Sequence, residues 1–162
     1  ALGSNNLVAR VADVLDRTGF PADALRVEVT ESAAIADADH VRIVLQDLRA
    51  LGARVSLDDF GTGYCSLSYL QQFPVDTLKI DKSFIKNLAS DDRDKAVAAA
   101  VISLGQKLNL RVIAEGVETA EQLAILRENN CDEIQGYYFS KPVSFAAIAD
   151  LLADPTRKMA VS

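Results

Sequence analysis

A chain of 162 residues, 49% hydrophobic and 25% charged, is long enough for one domain with a real core and has the composition of a soluble globular protein. Its net charge of −6 argues against a binder of DNA or RNA polymers, which neutralise phosphates with Lys and Arg. A single histidine (His40) and two cysteines (Cys65 and Cys131) at no metal-ligand spacing argue against a Ser-His-Asp triad, a Cys/His metal site and a disulfide framework.

No secretory leader is legible, and the longest apolar run, Ala96 to Leu104, is too short to span a bilayer. With the free thiols this predicts a cytoplasmic domain, any membrane anchor of the parent protein lying in other domains.

Residues 1–6 are small and polar and read as a linker or tag remnant. Leu7, Val8, Val11, Val14 and Leu15 have helical spacing, stopped by Gly19 and Pro21. Leu25 to Thr30 alternates as a strand. Asp37 can cap a helix with Val41, Val44, Leu45, Leu48 and Leu51 on its apolar face, closed by Gly52; His40 falls on this helix and reads as a surface residue without a role. Val55 to Phe60 is a second strand, Ser66 to Gln72 a short helix, and Thr77 to Lys82 a third strand. Ser90 is the expected cap of a helix to about Leu108, with Asp91 and Asp92 in its first turn, where the macrodipole favours acids. Arg111 to Gly116 is a fourth strand. Thr119 and Gln122 form a capping box for a helix to about Asn129. Glu133 to Gly136 is a fifth strand, and Ser144 caps a last helix with Phe145, Ile148, Leu151 and Leu152. Strands alternating with helices five times predict an α/β fold with a parallel sheet and crossover helices.

Side chains alternate along strands, so Leu25, Val27 and Val29 oppose Arg26, Glu28 and Thr30, and Val55 and Leu57 oppose Ser56 and Asp58. Likewise Leu78 and Ile80 oppose Lys79, Val112 and Ala114 oppose Glu115, and Ile134 opposes Gln135. A buried parallel sheet is ordinarily apolar on both faces. Here one face carries Glu28, Asp58, Lys79, Glu115 and Gln135, as expected if they line a cavity at the C-terminal mouth of a (β/α) barrel. The rival account is five separately satisfied polar residues on an open sheet.

Within Val55–Leu67, two adjacent carboxylates, Asp58 and Asp59, end a strand and lead into a turn with Gly61 and Gly63. Aspartates are poor strand residues and repel each other, so this pairing fits best where a cation sits; an acidic turn is the plainer alternative. Carboxylates without histidine or cysteine suit hard cations such as Mg²⁺ or Mn²⁺, and with a lysine nearby they suit metal-assisted hydrolysis of a phosphodiester. A Schiff-base role for Lys79, as in a barrel lyase or aldolase, is the rival, opposed by the flanking acids that keep the amine protonated.

The motifs Glu28-Val-Thr-Glu31, Asp58-Asp59-Phe60-Gly61-Thr62-Gly63-Tyr64, Leu78-Lys79-Ile80-Asp81, Ala114-Glu115-Gly116-Val117-Glu118 and Gln135-Gly136-Tyr137 through Lys141-Pro142 together resemble the EAL domain family of bacterial cyclic di-GMP phosphodiesterases. The resemblance runs from about Leu7 to Leu152. It implies a partial (β/α) TIM-type barrel of about five βα units that opens the cyclic dinucleotide to linear pGpG with two Mg²⁺ or Mn²⁺ ions. It further implies that Glu28, Asp58 and Asp59 are metal ligands, that Lys79 orients the attacking water, and that Glu115 is an acid at the second metal, the catalytic base. Glu31 matches the glutamate that pins the loop Phe60 to Ser68; Glu118 matches a supporting acid, Gln135 a residue near metals and substrate, and Pro142 a substrate neighbour. For Glu31 and Glu118 simple loop capping is the alternative. A homodimer through the Phe60–Leu70 loop and helix, and fusion to sensory or GGDEF domains, are also implied.

The chain departs from the family where the Glu-Ala-Leu motif and the following Asn ligand belong. A closed barrel needs roughly 250 residues. The expected organisation is therefore a remnant at 1–6, the C-terminal part of an EAL domain at 7–154 and a tail at 155–162, with one metal site short of ligands. A non-catalytic cyclic di-GMP receptor is the alternative function. Cys65 stands where a serine is common in the family.

Overall fold

The computed structural model describes residues 4–62 and 67–153, with side chains for 7–62, 70–149 and 153. Residues 1–3, Cys65 with the rest of 63–66, and the tail at 155–162 lie outside the described residues. So do the side chains of Leu151 and Leu152, expected on the last helix. The chain divides into two compact units, residues 1–78 and 79–162.

In the first unit, α1 (Ser4–Thr18) starts inside the stretch expected to be a linker. It stops at Gly19, whose φ of +64° suits glycine; the Gly19 N–H donates to the Leu15 carbonyl at 2.9 Å. β1 (Arg26–Thr30) runs directly into α2 (Glu31–Ala36), because the Thr30 hydroxyl accepts from the Ala33 N–H at 3.3 Å and caps the helix. Six residues hold too little periodicity to announce α2 in the sequence. Asp37 then caps α3 (Ala38–Ala50) by accepting from the His40 N–H at 3.4 Å, as expected. Leu45 and Leu48 are buried from the apolar face of α3, and Gly52 (φ +101°) reverses the chain.

β2 (Arg54–Phe60) pairs parallel with β1, with Val27 opposite Val55, Glu28 opposite Ser56, Val29 opposite Leu57 and Thr30 opposite Asp58. Parallel pairing needs a crossover, which α2 and α3 supply. The register puts Val55 and Leu57, both fully buried, on one face with Val27 and Val29, as the alternation predicts. After α4 (Leu67–Gln72), Asp76 fixes the start of β2: its carboxylate accepts from the Val55 N–H and from Arg49, each at 2.9 Å.

β3 (Thr77–Ile80) is buried at every position. It ends two residues earlier than expected, because the Asp81 carboxylate accepts from the Ser83 N–H at 2.9 Å and caps α5 (Lys82–Lys86). In the second unit α6 (Asp92–Lys107) is capped by Asp91, which accepts from the Arg93 N–H at 2.7 Å, rather than by Ser90. Both are good caps; the aspartate one place closer to the first turn wins. Gly105 lets α6 lie on β4 (Arg111–Glu115): a Cβ there would come within 2.2 Å of Val112 Cγ2. α7 (Ala120–Glu128) carries the expected capping box of Thr119 and Gln122. β5 (Glu133–Gln135) pairs parallel with β4, Glu115 opposite Gln135. Asp132 accepts from the Val112 N–H at 2.8 Å, the same device as Asp76 on Val55. α8 (Phe145–Ala153) ends the described chain.

Candidate active site in two clusters

The first cluster stands on β1 and β2. Glu28, Thr30, Ser56 and Asp58 share one face by register, with Glu28 exposed and Asp58 half-buried. Ser56 is fully buried, and among the described residues its hydroxyl has no hydrogen-bond partner. Asp59 is left-handed (φ +56°), a conformation aspartate tolerates better than most residues. Two sets of contacts hold it there. Its N–H donates to Asp58 Oδ1 at 3.0 Å, and its carbonyl accepts from the Thr62 hydroxyl at 2.8 Å and the Thr62 N–H at 3.3 Å. Glu31, 1% exposed at the start of α2, accepts from the Gly61 N–H at 3.0 Å and so ties the chain leaving β2 to the chain leaving β1.

The carboxylates are hard oxygen donors, which fits Mg²⁺ or Mn²⁺ in kind. In number they fall short: among the described residues no group of three or more His, Cys, Asp and Glu side chains stands close enough to hold a metal ion. Glu28, Asp58 and Asp59 are not gathered into such a group.

The second cluster stands on β3, β4 and β5. Lys79, 4% exposed, points its ammonium at Glu115, with Nζ 2.6 Å from Oε1. Each partner of the pair answers the other's charge, which offsets part of the cost of taking the charges out of water. An ammonium paired with a carboxylate is not the free amine a Schiff base requires. Gln135 lies beside Glu115 in register. The chain beyond Glu115 is shaped by two glycines. A Cβ on Gly116 (φ +72°) would meet Lys82 Cβ at 2.8 Å, and one on Gly136 would meet the Val117 carbonyl oxygen at 2.2 Å and its nitrogen at 2.4 Å. The Val117 N–H donates to the Gln135 carbonyl at 3.1 Å, and the Tyr138 N–H to the Val117 carbonyl at 2.9 Å.

Glu118 and Pro142 are exposed, as is Tyr137, over whose ring Lys141 lies at 5.9 Å. Burial, with the Asp132 charge beside it, pushes the Cys131 thiol up to about 11, so little of it is thiolate near neutral pH.

The sequence matches the EAL domain family over residues 1–142. The chain belongs to that family. NbdA of Pseudomonas aeruginosa, a cyclic di-GMP phosphodiesterase, is 48% identical to this EAL chain over 151 residues, 93% of this chain and 19% of NbdA. A solved PaMucR phosphodiesterase–c-di-GMP complex is 43% identical with a TM-score of 0.85, covering 88% of this chain and 57% of that one. A manganese/cyclic di-GMP complex of Klebsiella pneumoniae BlrP1 is 35% identical with a TM-score of 0.79, covering 85% of this chain and 35% of that one. This EAL chain thus spans about a fifth of NbdA and just over half of the PaMucR chain. The EAL neighbours are TIM-type barrels, and the α/β class expected from the strand–helix alternation holds. Among the described residues no helix is long and apolar enough to cross a membrane.

Proposed function

We propose that this EAL domain serves a cyclic di-GMP phosphodiesterase, which adds water across one phosphodiester of the ring to leave linear pGpG. Water attacks phosphorus, the bond to one ribose 3′ oxygen breaks, and that oxygen leaves as a hydroxyl. Lys79 and Glu115 orient the water and hold its proton. Glu28, Asp58 and Asp59 would contribute carboxylate ligands to Mg²⁺ or Mn²⁺ ions only together with ligands from outside the described residues; such ions would neutralise phosphate charge. Glu31 fixes the loop at Gly61, while Glu118, Gln135 and Pro142 support the substrate side. The parent protein is a cytoplasmic or membrane-anchored homodimer joined through Phe60–Leu70, with sensory or GGDEF domains attached.

The observation that carries this reading is the buried Lys79–Glu115 contact at 2.6 Å. A buried ion pair adds little stability over an apolar pair of the same volume, so its presence fits a chemical task better than a structural one. The named activity of NbdA and the ligands of the PaMucR and BlrP1 complexes support the substrate class.

The second reading is a receptor that binds cyclic di-GMP without turnover. The lack of a three-ligand metal group among the described residues favours it for this chain by itself. Chromatography of cyclic di-GMP incubated with Mg²⁺ and either this chain or a form extended upstream decides between them. Linear product from the extended form is expected. Binding with no product from either form would establish the receptor.

A further inference from the structure

Gln122, in the first turn of α7, is 5% exposed and its amide is used on both sides. Oε1 accepts from the N–H of Glu118 at 2.7 Å and of Thr119 at 3.0 Å. Nε2 donates to the carbonyls of Ile85 at 2.9 Å and Lys86 at 3.3 Å. The first pair belongs to the loop that follows Glu115; the second belongs to the end of α5, the helix that follows Lys79 by way of the Asp81 cap. A capping box requires only the Thr119 bonds, so the reach to α5 is additional. An amide is the one side chain of this length with two acceptor lone pairs at one end and two N–H donors at the other. Glutamate would set a carboxylate oxygen against two carbonyls, and leucine would answer none of the four groups.

Two glycines let the rest of the loop pack closely. Gly116 is pressed on Lys82, and the Val117 backbone on Gly136. We propose that Gln122 is a positioning residue: by bridging α5 to the β4–α7 loop it fixes the spacing of the strand ends that carry Lys79 and Glu115, and thereby their 2.6 Å contact. It acts on the reacting atoms only through those two residues. The turnover arm of its test rests on the phosphodiesterase reading; the geometric arm does not.

The test compares wild type with Gln122→Glu and Gln122→Leu, using thermal unfolding, the side-chain NMR signal of Lys79 and hydrolysis of cyclic di-GMP by the upstream-extended form. A displaced Lys79 signal is expected in a folded Gln122→Glu variant, with kcat down about tenfold or more and KM within about twofold, since misplacement by an ångström can cost about a hundredfold. A wild-type Lys79 signal in a folded variant overturns the proposal. Collapse of both variants assigns Gln122 to folding alone and overturns it as well. If wild type itself shows no turnover, the phosphodiesterase reading fails while the Lys79 signal still decides the role of Gln122.

Discussion

Replacing Glu115 with glutamine changes one charge and almost no volume, which makes it the sharpest probe of the second cluster. Lys79 and Glu115 side chains are 6% and 19% exposed and 2.6 Å apart. At an effective dielectric constant of about 20 the gross attraction is about 6 kcal/mol, an upper bound that partial exposure of Glu115 reduces. Breaking one partner of a buried pair costs about 3–5 kcal/mol, and the glutamine carbonyl still accepts one hydrogen bond worth about 1 kcal/mol. The expected loss is therefore about 2–4 kcal/mol, a drop of about 5–15 °C in Tm for a chain of this size. That leaves the protein folded if its stability is typical, about 5–15 kcal/mol. Lys79→Met with Glu115→Leu removes both charges and should recover most of the loss, so a double-mutant cycle in urea should return a coupling of about 2–4 kcal/mol. Singles that sum to the double within about 0.5 kcal/mol would refute the pairing argument. In the upstream-extended form Glu115→Gln should abolish hydrolysis of cyclic di-GMP while folding persists; wild-type rates would remove Glu115 from the mechanism.

Gly136→Ala should cost about 1–3 kcal/mol or more, because its Cβ would sit 2.2 Å from the Val117 carbonyl oxygen; an unchanged melting temperature would show that the loop yields freely. Burial raises the Asp81 carboxyl, but hydrogen bonds from the Ser83 side chain and backbone and the Lys82 backbone, with the Lys82 charge, outweigh it and hold the group below its ordinary 3.8. Its stabilisation is complete above 3.8 and fades as pH falls through the lower folded value, so Asp81→Asn should blunt the loss of urea stability below about pH 4. Equal acid sensitivity in wild type and variant would contradict the cap. Cys131, with its thiol near 11, should alkylate with iodoacetamide far more slowly at pH 8 than a free cysteine and speed up toward pH 11, as peptide mapping can follow. Ordinary reactivity at pH 8 would mean the site opens readily.

The elements legible in the sequence were those long enough to show a period or sharply punctuated. Five apolar residues at helical spacing between Asp37 and Gly52 mark α3 and its C-cap Leu51, and α7 has a full capping box. The two helices missed, α2 and α5, have six and five residues and are announced only by their caps, Thr30 and Asp81. Each cap falls within an expected strand, because a residue that ends a strand and starts a helix carries both signals. The Lys79–Glu115 cluster is legible through alternation, which puts both on the polar faces of their strands. Gln122 was legible only as half of a capping box, since its bonds to Ile85 and Lys86 span 37 and 36 positions.

The residues of the matched motifs do two different jobs, and this bears on how function is read from them. Gly61, Gly116 and Gly136 are places of contact: one donates its amide to buried Glu31, one packs on Lys82, one on the Val117 backbone. A domain that only bound a dinucleotide would need these loops shaped in the same way, so the glycines and Glu31 do not separate a receptor from an enzyme. The Lys79–Glu115 pair does. Two charges taken out of water at that depth are costly, and apolar residues of equal volume would hold the strands as well or better. Under the proposed function, this pair is a better discriminator between hydrolysis and binding than the number of matched motif residues. Lys79→Met is the corresponding discriminator: in a phosphodiesterase it should remove turnover while leaving cyclic di-GMP binding measurable, and equal rates before and after would move this domain to the receptor class.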